Sequence, residues 1–273
     1  MEYPTLSRED YEEPRCPLCS SEEITSIPVN RVIEKLDEYL NQNDYPAAEK
    51  HLQYWLAEAE ASRDQRGKLS VLNEQIGLYR KLERETEALQ AADAALTLAK
   101  ELGMENTITM GTTLVNAATA YKAFGRATEA LPLYRQAEDI YMENLPADDP
   151  RLAGLYNNMA VTVVELGNFL DAEEFYAQAM DIMAKQEHGE AELAITWCNM
   201  ADLAAKELGL DEGEARIGEC LEKALALLDT PGLPRNGYYA FVCEKCAPTF
   251  GYYGWFAVEE DLRNRAKEIY ERV

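Results

Sequence analysis

The sequence predicts an all-α protein, a right-handed α-solenoid of about six helix pairs laid in series. Three observations predict it. Residues 114–134 and 156–176 match one another at a shift of 42 positions. Apolar residues inside each period recur at helical spacing. Helix breakers are sparse, with 15 glycines and 11 prolines in 273 residues, and long stretches are rich in Ala, Leu, Glu, Lys and Arg.

The repeat is clearest at small and aromatic positions. Gly125 pairs with Gly167, Ala130 with Ala172, Tyr134 with Tyr176 and Ala137 with Ala179. The same shift backwards carries Tyr121 to Tyr79 and Thr128-Glu129-Ala130 to Thr86-Glu87-Ala88. Alanine at 118, 160, 130, 137, 172 and 179 lets neighbouring helices approach closely, and the tyrosines fill the wider gaps. Gly125 and Gly167 fall where a first helix must stop, which suits a left-handed residue after the last helical turn.

In order along the chain, the expected helix pairs cover 30–63, 65–103, 107–145, 149–187, 190–229 and 235–273. The first pair keeps Tyr45, Ala48 and Leu56 in the repeat positions. The fifth keeps Asn199-Met200-Ala201 but carries extra residues around Gly209 to Gly213. The sixth is aromatic-rich from Tyr238 to Trp255, as a terminal cap should be. Residues 1–29 fit no repeat and read as an acidic arm, leaving 30–273 as the solenoid.

The net charge of −24, from 26 basic and 50 acidic residues, repels phosphate backbones and anionic lipid, so neither nucleic acid nor membrane is an expected partner. The N-terminus has no cationic start followed by an apolar run, and no stretch is long and apolar enough to span a bilayer. A cytoplasmic location with reduced thiols is the expectation for the six cysteines.

The paired positions resemble the tetratricopeptide repeat family. More narrowly, the 42-residue period and the segment from Asp148-Asp149-Pro150 to Ala160 are similar to the longer repeats of kinesin light chains, and to those of bacterial peptide-sensing regulators. The likeness is close over about 65–210 and looser at the flanks. It implies a scaffold or regulator whose inner surface, lined by the first helix of each pair, binds protein or peptide. The residues themselves give the expectation of no enzyme. The chain's two histidines, His51 and His188, are expected in second helices, and it has no phosphate-binding glycine loop, nucleophile elbow or His-Glu metal motif.

On that inner surface Asn116, Asn158 and Asn199 recur at one position, with Asn73 and Asn157 beside it. A carboxamide offers a donor and an acceptor together, and asparagine has no propensity reason to recur in mid-helix. The resemblance implies that these amides hold a bound peptide's main chain. The alternative is that they tie adjacent repeats together or bond to local backbone. Arg80, Lys81, Lys122 and Lys206 should share the surface, interrupted by Glu165 and Asp202, and suggest an acidic ligand. This set departs from the basic clamp of chaperone-binding members of the family. One acidic candidate is the chain's own arm, where Glu2, Glu9, Asp10, Glu12 and Glu13 stand against Arg8 alone within 1–14. Other readings are a free-standing peptide sensor and self-assembly into a homo-oligomer.

Cys16-Pro-Leu-Cys19 and Cys243-Glu-Lys-Cys246 are two C-x-x-C pairs, and two such pairs can make a tetrahedral zinc site. A solenoid holds the chain ends far apart, so closure within one molecule is disfavoured while bridging between subunits stays open. The alternative is that Cys243 and Cys246 are small apolar side chains inside a helix. No other cofactor is expected.

Overall fold

The structure, a computed structural model, describes residues 26–272. It contains α1 (Val29–Asn41), α2 (Tyr45–Ala61), α3 (Gln65–Lys81), α4 (Glu85–Glu101), α5 (Ile108–Ala123), α6 (Ala127–Asn144), α7 (Pro150–Glu165), α8 (Phe169–Met183), α9 (Glu190–Leu228), α10 (Gly237–Tyr252) and α11 (Phe256–Tyr270), with no strand among the described residues. The expected class is what the chain adopts: helices in series, each packed on the next within its unit. The chain divides into two compact units, one ending at Arg126 and the other beginning at Ala127. That boundary falls between α5 and α6, the two helices expected at 107–145.

The turns explain the regularity. Asn43, Arg63 and Glu83 have φ of 55°, 57° and 56°, and Gly103, Gly125 and Gly167 have φ of 68°, 73° and 79°. A left-handed residue at this point lets the next N–H reach back five residues to an orphan carbonyl of the last turn. Asp44 N donates to Tyr39 O at 2.8 Å, Asp64 N to Ala59 O at 2.8 Å, Arg126 N to Tyr121 O at 3.0 Å and Asn168 N to Val163 O at 2.9 Å. In several turns the residue that closes one helix also caps the next. The Asp44 carboxylate accepts from Ala47 N at 3.1 Å, and Asp64 accepts from Gly67 N at 2.9 Å.

Two sequence details come out differently. The fifth pair is one run, Glu190–Leu228, broken only at Gly209, whose φ of 82° and ψ of 172° end the first half and start the second. His188 lies in the turn before α9, not in a second helix, and has φ of 61°. That turn closes tightly under Gly189, where an added Cβ would lie 2.0 Å from Met183 O.

Each unit has its own core. In the first, Ile27, Val32, Leu36, Ala48, Leu52 and Val71 cluster with their neighbours under α1–α3. In the second, residues from both halves of α9 cluster with α10 and α11. The paired alanines 118, 160, 130, 137, 172 and 179 are all fully buried, and Tyr134 and Tyr176 are the bulky side chains among them.

Candidate functional site

The first helix of each pair carries the candidate site. These helices are α1, α3 and α5 in one unit, and α7, the first half of α9 and α10 in the other. Within each unit they touch their counterparts, α1 with α3, α3 with α5 and α7 with α9. The buried alanines Ala118, Ala160 and Ala201 fix the register, and each stands two residues after one of the asparagines 116, 158 and 199. All three asparagines are half-buried, at one equivalent position of successive first helices.

The hydrogen bonds divide the five asparagines into two groups. Asn73 Nδ2 donates to Thr113 Oγ1 at 3.1 Å, and Asn157 Nδ2 donates to Thr196 Oγ1 at 2.9 Å. These are the same bond made twice, from one first helix to the next first helix of the same unit. Asn157 is buried, so this amide joins repeats and does not line an open surface, a correction to its expected place facing a ligand. Asn73 is half-buried and also donates to Leu69 O at 3.0 Å while accepting from Asn116 Nδ2 at 2.9 Å. Asn158 Nδ2 donates to Gly154 O, one turn back in its own helix, at 3.0 Å. The amides at 116 and 158 thus spend a donor on the fold.

The cations are scattered. Lys81 sits over the Tyr45 ring at 5.4 Å from its centroid, which turns it toward the start of α2. Arg80 is exposed at the end of α3, Lys122 is half-buried at the end of α5, and Lys206 is exposed near Asp202. Carboxylates share these faces, Asp202 as expected from the sequence and Asp37, Glu74 and Glu192 besides. Burial pushes the Glu74 carboxyl above its ordinary range, and the nearby Asp37 charge adds to the effect; Asp37 is itself raised by burial. Glu74 holds the register position of Asn116 one period earlier, a signal the 42-residue shift contained. In the second unit, burial raises Asp202 although Tyr253 Oη donates to its Oδ1 at 2.8 Å, and burial raises Glu192, which accepts from Tyr238 Oη. Both faces therefore hold acids and bases together.

Cys16 and Cys19 lie outside the described residues, as does nearly all of the acidic arm. Cys243 and Cys246 sit on α10 inside the apolar core, joined there by Cys198 and Cys220. Among the described residues no three His, Cys, Asp or Glu side chains are grouped to hold a metal ion. Cys198 is held far above the ordinary thiol range by its contact with Cys246 and by burial, and burial pushes Cys243 up to about 12. Since the thiolate is the reactive form, these groups are protected twice, by access and by charge state. Iodoacetamide at neutral pH should leave all four unmodified in the folded protein and alkylate them in concentrated guanidinium, read by peptide mass spectrometry. Alkylation of Cys243 in the folded state would contradict its placement.

The two histidines are placed differently. His51 packs edge-on against Tyr39 and Trp55, with Nε2 2.9 Å from Val32 O, and burial lowers its basicity. His188 is exposed in its turn. No helix among the described residues is long and apolar enough to cross a membrane.

Comparison with known proteins agrees with this architecture. Tetratricopeptide repeat models match residues 68–143 and 152–191. The fold is similar to the kinesin light chain TPR-like repeats of Podosopora anserina, at 17% identity and a TM-score of 0.51, covering 74% of this chain and 94% of that one. It is similar to BtubC (BKLC) from P. vanneervenii at 20% identity and a TM-score of 0.52, covering 89% and 91%. It is also similar to NprR in complex with its cognate peptide NprX, at 17% identity and a TM-score of 0.52, covering 87% of this chain and 66% of that one. No curated protein matches the chain in sequence. The repeat models, the turn geometry and the register of the first helices agree that the chain carries tetratricopeptide repeats over residues 68–143 and 152–191.

Proposed function

We propose that the chain is a protein-binding scaffold that holds a peptide segment along the inner faces of its first helices, without chemistry of its own. The observation that supports this is a half-buried amide at the same repeat position in each unit, Asn116 in the first and Asn158 and Asn199 in the second. Asn116 and Asn158 each give one donor to the fold, which fixes the side-chain rotamer of a group able to pair with a main-chain amide. Preorganised donors and acceptors of this kind cost little entropy on binding. The mixed charges beside these amides, Lys122 in one unit and Lys206 with Asp202 in the other, suit a segment carrying both signs rather than a purely acidic one. The neighbour NprR, solved with a peptide, is in keeping with such a role for this kind of fold. The acidic arm at 1–29 is one candidate occupant.

The test is a peptide array probed with wild-type protein, with the Asn116→Ala/Asn158→Ala/Asn199→Ala variant, and with protein lacking residues 1–29. Each main-chain hydrogen bond is worth about 1 kcal/mol net, so the triple variant should bind any captured peptide roughly a hundredfold more weakly. The truncated protein should capture more peptides than the full chain if the arm competes. Thermal melts separate lost binding from lost folding. Equal capture by the wild type and a folded triple variant would overturn the proposal.

A further inference from the structure

Six large exposed apolar side chains of the second unit recur at its turns, apart from Met142, Tyr238 and Phe241, which are exposed elsewhere. Leu166 and Leu170 flank the α7–α8 turn, Leu208 and Leu210 flank the break in α9 at Gly209, and Tyr252 and Phe256 flank the α10–α11 turn. These six are between 39% and 74% exposed. All three turns join the first helix of a pair to its second. Antiparallel pairs stacked in series bring such turns to one edge, and α7·α9, α8·α9 and α9·α10 are all in contact. Isolated surface leucines need no explanation, but large apolar residues repeated at the same edge of three successive pairs form a patch. The equivalent turns of the first unit keep Leu82 and Phe124 half-buried beside Glu83-Arg84 and Gly125-Arg126.

The rim of this edge is acidic. Asp171 and Glu174 follow Leu170, Asp211, Glu212 and Glu214 follow Leu210, and Glu260 follows Phe256. Of the two cations beside the α9 break, Lys206 is exposed just before it, and Arg216 after it is already paired with Glu173 and Glu207. A second copy of this chain, itself at −24, would bring like charge against like charge. We infer that the edge formed by the turns at 166–170, 208–210 and 252–256 is a docking surface for a basic amphipathic helix, whose apolar stripe covers the leucines and aromatics while its lysines or arginines face the rim. This surface lies at the turns and not at Asn158 or Asn199, and it does not depend on that reading.

The test uses fluorescein-labelled Leu/Lys peptides of one composition in two arrangements, leucines on one helical face or scattered, with fluorescence anisotropy as the readout. Full-length wild-type protein should bind the one-faced peptide at least tenfold more tightly than the scattered one. The Leu170→Ser/Leu210→Ser/Phe256→Ser variant should lose that preference while melting at the wild-type temperature, as expected for side chains already in water. The Asn116→Ala/Asn158→Ala/Asn199→Ala variant should keep it. The inference is overturned if neither peptide binds, if the two bind alike, if the serine variant keeps the preference, or if sedimentation shows the wild type to be a dimer that the serine variant dissolves.

Discussion

Replacing Tyr176 by alanine will cost about 3–5 kcal/mol of stability, the range for deleting a fully enclosed aromatic side chain. The ring is 1% exposed within the second unit, and the neighbouring Ala172 and Ala179 are too small to close the space it leaves. Its hydroxyl is held neutral by burial, with the Asp202 charge adding to the effect, so Tyr176→Phe removes no charge and should cost far less. Leu170→Ala, six residues earlier on α8, should be close to neutral because that side chain is already 74% exposed. Urea denaturation of the three variants checks the order. A small effect for Tyr176→Ala would mean that the repeat relaxes around the loss, which close packing of alanine-lined helices argues against.

Asp64→Ala should be the most damaging polar substitution, at about 2–4 kcal/mol. The buried carboxylate performs two tasks at once: it caps α3 through Gly67 N, and its Oδ2 accepts from Ile27 N at 2.9 Å. Losing a cap costs about 1 kcal/mol, and leaving a buried N–H without a partner costs about 1–3 kcal/mol more. Gly67 reports how tight the site is, since an added Cβ there would lie 2.3 Å from Asp64 Oδ2 and 2.5 Å from Ile27 Cγ1. Hydrogen exchange should show the Ile27 amide losing protection in the variant before the α7–α8 region does. If both regions lose protection together, the contact stabilises the whole chain instead of anchoring the start of the first unit.

Much of this was legible in the sequence, and the reason is physical. A repeat that stacks on itself must reuse the same small residues at the same contacts, so Ala118, Ala130, Ala137, Ala160, Ala172 and Ala179 announce the packing before any coordinates do. Gly125 and Gly167 likewise announced left-handed turns, whereas Arg63 and Glu83 adopt the same conformation without the residue type that signals it. The site was harder to read. An asparagine at one position faces a neighbouring threonine and at the next faces outward, so Asn157 and Asn158 have opposite fates that residue type alone does not distinguish. The half-buried carboxylates Glu74 and Glu192 were missed because a chain with 50 acids gives no reason to single out any of them. Only the fold's burial does that.

Where one residue ends a helix and caps its successor, as Asp44 and Asp64 do, the connector has no slack. Extra length must then enter a helix body or one of the longer connections. The first half of α9 illustrates the former: Ala201 precedes Gly209 by one position more than Ala160 precedes Gly167. The segments at 145–149 and 229–236 supply the latter. A fluorophore or a protease site should therefore be accepted in those two stretches and refused at the tight joints, which makes them the places to cut or label this chain without loosening its stack.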